Sequence, residues 1–96
     1  MKLQSIKPTN SASEKRYTAS FTSSEGKQKT VHFGLKGGRT FIDHKDEKKK
    51  SAYLARHKVN ENWNDPLTAG ALARFILWNK PTLQASIKDF RRRFDM

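Results

Sequence analysis

Two stretches near the start of the chain alternate apolar with polar residues. Tyr17, Ala19 and Phe21 alternate with Arg16, Thr18, Ser20 and Thr22, and Val31, Phe33 and Leu35 alternate with Thr30, His32 and Gly34. A period of two places every second side chain on one face, so the pattern predicts strands over 16–22 and 28–35. Between them, Ser23-Ser24-Glu25-Gly26-Lys27 supplies turn chemistry, with Gly26 able to take a positive φ. Lys36-Gly37-Gly38 reads as a second turn and residues 39–42 as a short third strand. The expected sheet, a β-hairpin or three antiparallel strands over about 16–42, has one apolar face and needs cover on one side only.

The second half changes period. Asp43 or Asp46 can cap a helix through EKKKSAYLARH, about 46–58, with acids in its first turn and Arg56, His57 and Lys58 in its last. Asp65 followed by Pro66 predicts the start of a second helix that runs to about Asn79, with Leu72, Phe75, Ile76 and Asn79 on one face. Ala69, Gly70, Ala71 and Ala73 thin part of that helix and permit close approach of another backbone. Pro81 interrupts it. Thr82 can cap a third helix, about 82–94, in which Leu83, Ile87, Phe90 and Phe94 form the apolar stripe. The fold class expected is α+β, a single domain over 16–96. Residues 1–15 are polar, rich in Ser and Lys, and read as a flexible basic arm.

The net charge is +11 and the hydrophobic fraction 34%. So small and polar a chain has a small core. Its charge favours an acidic partner. Residues 36–58 hold eight basic and three acidic side chains, the densest segment. Lys36, Arg39, Lys48, Lys49, Lys50 and Arg56, with Arg91, Arg92 and Arg93 at the end of the last helix, are therefore the candidate partner-binding residues. The bland alternative is a solvated helix face for the lysines and dipole compensation for the arginines. Chains without cysteine have no disulfide, thiolate zinc site or cysteine nucleophile, and suit a reducing compartment. No apolar run approaches the ~20 residues needed to span a bilayer, and the N-terminal residues lack the apolar segment of a secretory signal.

Catalytic signatures are lacking. His32, His44 and His57 are 12 and 13 residues apart, and lysines crowd the carboxylates beside His44, which opposes a cation. Their plainer places are a polar strand face, a loop and a helix C-terminus. Gly34-Leu35-Lys36-Gly37-Gly38 faintly resembles a phosphate loop but lacks the Gly-Lys-Ser/Thr ending, so a hairpin turn is the simpler reading. No metal, cofactor, small-molecule substrate or enzyme activity is expected. The turn at 79–82 between two helices loosely suggests a helix-turn-helix, though the last helix has few side chains left to read bases. Trp63, Trp78 and Tyr53 are candidate stacking platforms for single strands, or simply core.

KTVHFGLKG at 29–37, YLARH at 53–57, ENWNDPLTAGALARFILWNKPTLQASI at 61–87 and FRRRF at 90–94 form a distinctive set. Together, over about residues 16–94, they resemble a family of small basic uncharacterised proteins encoded by large nucleocytoplasmic DNA viruses. That resemblance implies a viral product made in the host cytoplasm or nucleus and carried in the virion, with no catalytic residues to transfer. On it rests the leading expectation: a non-enzymatic minor capsid component that bridges acidic or polar surfaces of larger capsid proteins through its basic face and N-terminal arm. Sequence-independent binding of DNA phosphates in a virion core or nucleus is the alternative, and a host-directed interaction module is a third. Clustered charge would favour a DNA binder, and spread charge a bridge.

Overall fold

The fold is that of a computed structural model, which describes residues 1–10 and 12–96. Strand β1 (Lys2–Pro8), β2 (Tyr17–Thr22) and β3 (Gln28–Phe33) form an antiparallel sheet in the order β1-β2-β3. The helices follow: α1 (Phe41–His44), α2 (Glu47–His57), α3 (Ala69–Leu72), which continues as a π-helical turn over Ala73–Leu77, and α4 (Leu83–Arg93). The α+β class is as expected, and so is the β2–β3 hairpin. Tyr17 faces Phe33 and Ala19 faces Val31 across it, and Gly26 turns the chain at φ 84°.

Three segments depart from the sequence reading. Residues 2–8 of the expected flexible arm form β1, paired with β2. The pattern hid this strand because Leu3 and Ile6 are an odd number of residues apart. The pairing slips between Leu3 and Ser5, so Leu3 lies opposite Phe21 and Ile6 opposite Ala19. A bulge at Gln4 thus resets the alternation and turns both apolar residues to the core face.

The third strand expected at 39–42 is instead helical. Thr40 is the N-cap of α1, and Asp43 Oδ2 accepts both its backbone N–H at 2.8 Å and its hydroxyl at 2.9 Å. These bonds satisfy a donor that a strand at the sheet edge would have left unpaired. His44, expected in a loop, lies in the same turn of helix. Lys45 ends α1 in the left-handed conformation at φ 57°, and Asp46 restarts the helix by accepting the N–H groups of Lys48 and Lys49.

The second long helix starts later than Asp65-Pro66. Asp65 accepts the Leu67 N–H in a local turn, and Thr68 is the cap, accepting the Ala71 N–H. From Ala73 the helix widens, and the Trp78 N–H donates five residues back to the Ala73 carbonyl. Three consecutive residues of this widened turn, Phe75, Ile76 and Leu77, are all buried, a broader apolar span than the single stripe of an amphipathic helix. Thr82 caps α4 as expected.

The core lies between the sheet and the last two helical elements. Leu3, Ala19, Phe21 and Phe33 from the sheet meet Leu72, Ile76 and Leu77, with Phe90 from α4. Phe21, Phe33 and Phe90 are fully buried, each removing side-chain area worth about 1.5–3 kcal/mol from water. Gly34 ends β3 at φ 76°, where a Cβ would stand 3.0 Å from Leu77. No helix is long and apolar enough to cross a membrane among the described residues.

Candidate anion-binding surface

Helix α2 presents Lys49, Ala52 and Arg56 at positions i, i+3 and i+7, which share a face. That face opens onto a cavity of about 300 Å³ whose other walls are Arg39, His44 and Trp78. Asp46 fixes the start of α2, and the Thr40–Asp43 bonds fix α1, so the segment carrying Arg39 and His44 is held at both ends. The π-helical turn delivers Trp78 from the opposite side. Its carbonyl accepts from the Arg74 guanidinium at 3.0 Å.

Two of the cavity walls, His44 and Trp78, belong to a row of rings that continues behind the cavity. His44 lies 5.4 Å from Trp78, Trp78 stacks on Tyr53 at 4.5 Å and an interplanar angle of 7°, and Tyr53 stacks on His57 at 4.2 Å. His44 Nδ1 accepts the Asp46 N–H at 2.9 Å, so the neutral ring carries its proton on Nε2. That nitrogen is buried and has no hydrogen-bond partner among the described residues. His57 in turn meets Glu61 at 3.2 Å, and Glu61 accepts the Trp63 indole N–H at 2.8 Å. Burial, reinforced by the Glu61 charge, pushes the Tyr53 hydroxyl up to about 12. That direction is opposite to the one that would make it a nucleophile.

The structure divides the nine candidate cations into two groups. Arg39, Lys49 and Arg56 line one cavity, and Lys48 is exposed beside them on α2. None of these four side chains is hydrogen-bonded or ion-paired among the described residues. The other five have internal work. Lys36 Nζ donates to the Asn10 carbonyl at 2.5 Å. Lys50 Nζ donates to the Asn79 carbonyl at 2.7 Å and sits over the Phe41 ring. Arg91 donates to the carbonyls of Leu3 and Gln4, clamping the β1 bulge to α4. Arg92 and Arg93 both pair with Asp89. Burial raises the pKa of that carboxyl, but bonds from Arg92 and Asn79 and the charges of Arg93 and Arg92 outweigh it and hold it below its ordinary value.

Gly34–Gly38 is a turn, closed by the Gly38 N–H on the Leu35 carbonyl. Tyr53 has both ring faces covered, by Trp78 and His57, and Trp78 has one face on Tyr53 with His44 tilted beside it, so Tyr53 offers no open platform for a base. Trp63 is half-buried, with Arg74 over its ring at 5.5 Å. No group of three or more His, Cys, Asp or Glu side chains is placed to hold a metal ion among the described residues. The sequence reading missed His44, Ala52 and Trp78 as cavity walls. Only the Lys49-Ala52-Arg56 spacing carried a signal. The approach of Arg39 and Trp78 depends on the α1 turn and the π-helical widening.

No curated protein and no solved structure matches the chain. A family model matches residues 6–57. That stretch begins inside β1 and ends with α2, taking in Arg39, Lys49 and Arg56 and leaving out Trp78 and the distinctive 61–94 block. The match spans more than half of the chain, which therefore belongs to a family of unknown function, DUF5754.

Proposed function

We propose that this protein is a non-enzymatic binder of nucleic acid that engages backbone phosphates, without regard to base sequence, through Arg39, Lys48, Lys49 and Arg56. One observation carries the reading: three cations from two separate segments converge on a single cavity and have no internal partners among the described residues. Clustering like charges costs free energy in the absence of a ligand, and phosphates are a ligand chemistry that arginine and lysine together fit well. The ring stack favours a duplex over single strands, because unpaired bases need open aromatic faces, and here both faces of Tyr53 and one of Trp78 are taken by neighbouring rings.

The bridging role between capsid proteins has less support. Its mechanism relied on a free N-terminal arm, and residues 2–8 of that segment are built into the sheet. Its other intended contacts, Arg91, Arg92 and Arg93, are engaged internally.

The test is binding of a labelled DNA duplex across a salt series. Affinity should fall steeply with salt, and Arg39→Gln/Lys49→Gln/Arg56→Gln should flatten the log–log slope by about 0.9 for each phosphate no longer neutralised. Absence of binding at low salt, or an unchanged slope in the triple variant, would remove this reading.

A further inference from the structure

A second basic cavity of about 250 Å³ opens beside the turn that follows the π-helical segment, lined by Lys80, Ala85, Lys88, Asp89 and Arg92. Its one carboxylate, Asp89, is 5% exposed and already matched by Arg92 and Arg93. The charge left over is positive. The side chains of Lys80 and Lys88 have no hydrogen-bond or ion-pair partner among the described residues. Lys80 contributes only its backbone to the fold, its N–H donating to the Ser86 hydroxyl at 3.0 Å.

The two cavities flank one turn. Trp78 lines the first and Lys80 the second, and two residues of chain separate their Cα atoms by at most about 7 Å. Phosphates recur about every 3.4 Å along the axis on each duplex strand, so cations on either side of so short a turn can meet neighbouring phosphates of one backbone. Asn79, between them, locks the arrangement. Its carbonyl accepts Lys50 Nζ from α2 at 2.7 Å, and its amide donates to Asp89 on α4 at 2.6 Å. Asn79 is 7% exposed, so the helices that carry the two sets of cations are joined through a buried polar link. A surface fixed in this way loses little freedom on binding.

We infer that the phosphate-binding surface runs around the Trp78–Lys80 turn, and that Lys80 and Lys88 hold a second, neighbouring stretch of the same duplex backbone. The inference rests on the nucleic-acid reading above and extends it from one phosphate pocket to a track for an extended polyanion.

Duplex binding by Lys80→Gln/Lys88→Gln decides it, alongside a control of equal charge loss on exposed sheet lysines, Lys7→Gln/Lys29→Gln. Thermal melting of each variant checks the fold. The track requires a salt slope reduced by about 0.9 per phosphate released in the Lys80/Lys88 variant, with tenfold or greater loss of affinity at low salt. The control must lose clearly less. Equal losses in both variants would reduce the effect to net charge and overturn the track. A wild-type chain that binds, loses binding with the Arg39/Lys49/Arg56 triple variant, and ignores Lys80/Lys88 would overturn the track alone. If the wild type binds polyglutamate and not duplex, both proposals fall in favour of an acidic protein partner.

Discussion

Arg16 and Asp43, 27 positions apart, meet in a two-pronged ion pair, with Nη1 on Oδ2 at 2.7 Å and Nη2 on Oδ1 at 2.6 Å. The same carboxylate holds Thr40, so one residue ties the start of β2 to the cap of α1. The Arg16 bonds hold the Asp43 carboxyl well below the usual carboxylate range, and the Thr40 bonds add to this against a smaller opposing effect of burial. Because α1 carries His44 into the basic cavity, this pair positions the candidate site from outside it.

Asp43→Asn keeps an acceptor for Thr40 and removes the charge. It should lower stability by about 1–2 kcal/mol, a modest figure because both side chains are partly solvated. The pH dependence has a definite sign. With the folded pKa below the unfolded one, the contribution is complete above about pH 4 and is lost as pH falls toward the folded value. Urea unfolding at pH 7 and at pH 3 checks this: the gap between wild type and Asp43→Asn should narrow at the lower pH.

Leu3 is 4% exposed and packs with Phe21 in the core. Leu3→Ala should therefore cost about 2–4 kcal/mol, and removal of residues 1–8 should cost more, since it also strips the pairing from one edge of β2. A flexible arm would show no change in either experiment. Denaturant midpoints distinguish the two outcomes.

How far the sequence spoke depends on which signal each element used. The β2–β3 hairpin and α4 were legible because uninterrupted alternation and a clean cap followed by an apolar stripe are local signals. Strand β1 was not, because Leu3 and Ile6 obey the period of two only when the bulge at Gln4 is supplied, and a bulge is a property of pairing. In Thr40-Phe41-Ile42-Asp43 the β-branched and aromatic residues argued for a strand, while the Thr-to-Asp spacing held a capping signal that won. The π-helical turn left no periodic mark. Of the candidate site, the face of α2 was readable and its convergence with Arg39 and Trp78 was not. The charges that proved structural, such as Lys50 and Arg91, look the same in sequence as those that remained available.

Tyr53 lies between Trp78 and His57 and is 7% exposed. Its hydroxyl should ionise only near 12. Absorbance titration of tyrosinate should show a late component that disappears in Tyr53→Phe. Because the ring stack is kept in that variant, DNA affinity should stay within about twofold. Trp78→Ala should instead lose about 3 kcal/mol of stability, as a large ring is removed from packed surroundings; thermal melting checks it.

Lys49 and Lys50 are neighbours with opposite duties, and the pair offers the sharpest separation of fold from binding. Lys49 lines the first cavity, while the ammonium of Lys50 is bonded to the Asn79 carbonyl and rests on Phe41. Lys49→Gln should leave stability within about 0.5 kcal/mol, the range for surface substitutions without special interactions, and should weaken duplex binding with a lower salt slope. Lys50→Gln should cost about 1–2 kcal/mol, because it removes a charge-assisted hydrogen bond together with a cation–π interaction. Its effect on the salt slope should be the smaller of the two, since its ammonium is turned to Asn79 and away from any phosphate. Melting curves and salt-dependent anisotropy on the same two preparations test both halves. If both substitutions reduced the salt slope equally and left stability equal, the division between internal and available cations would be wrong. The basic helix would then be a uniform solvated face.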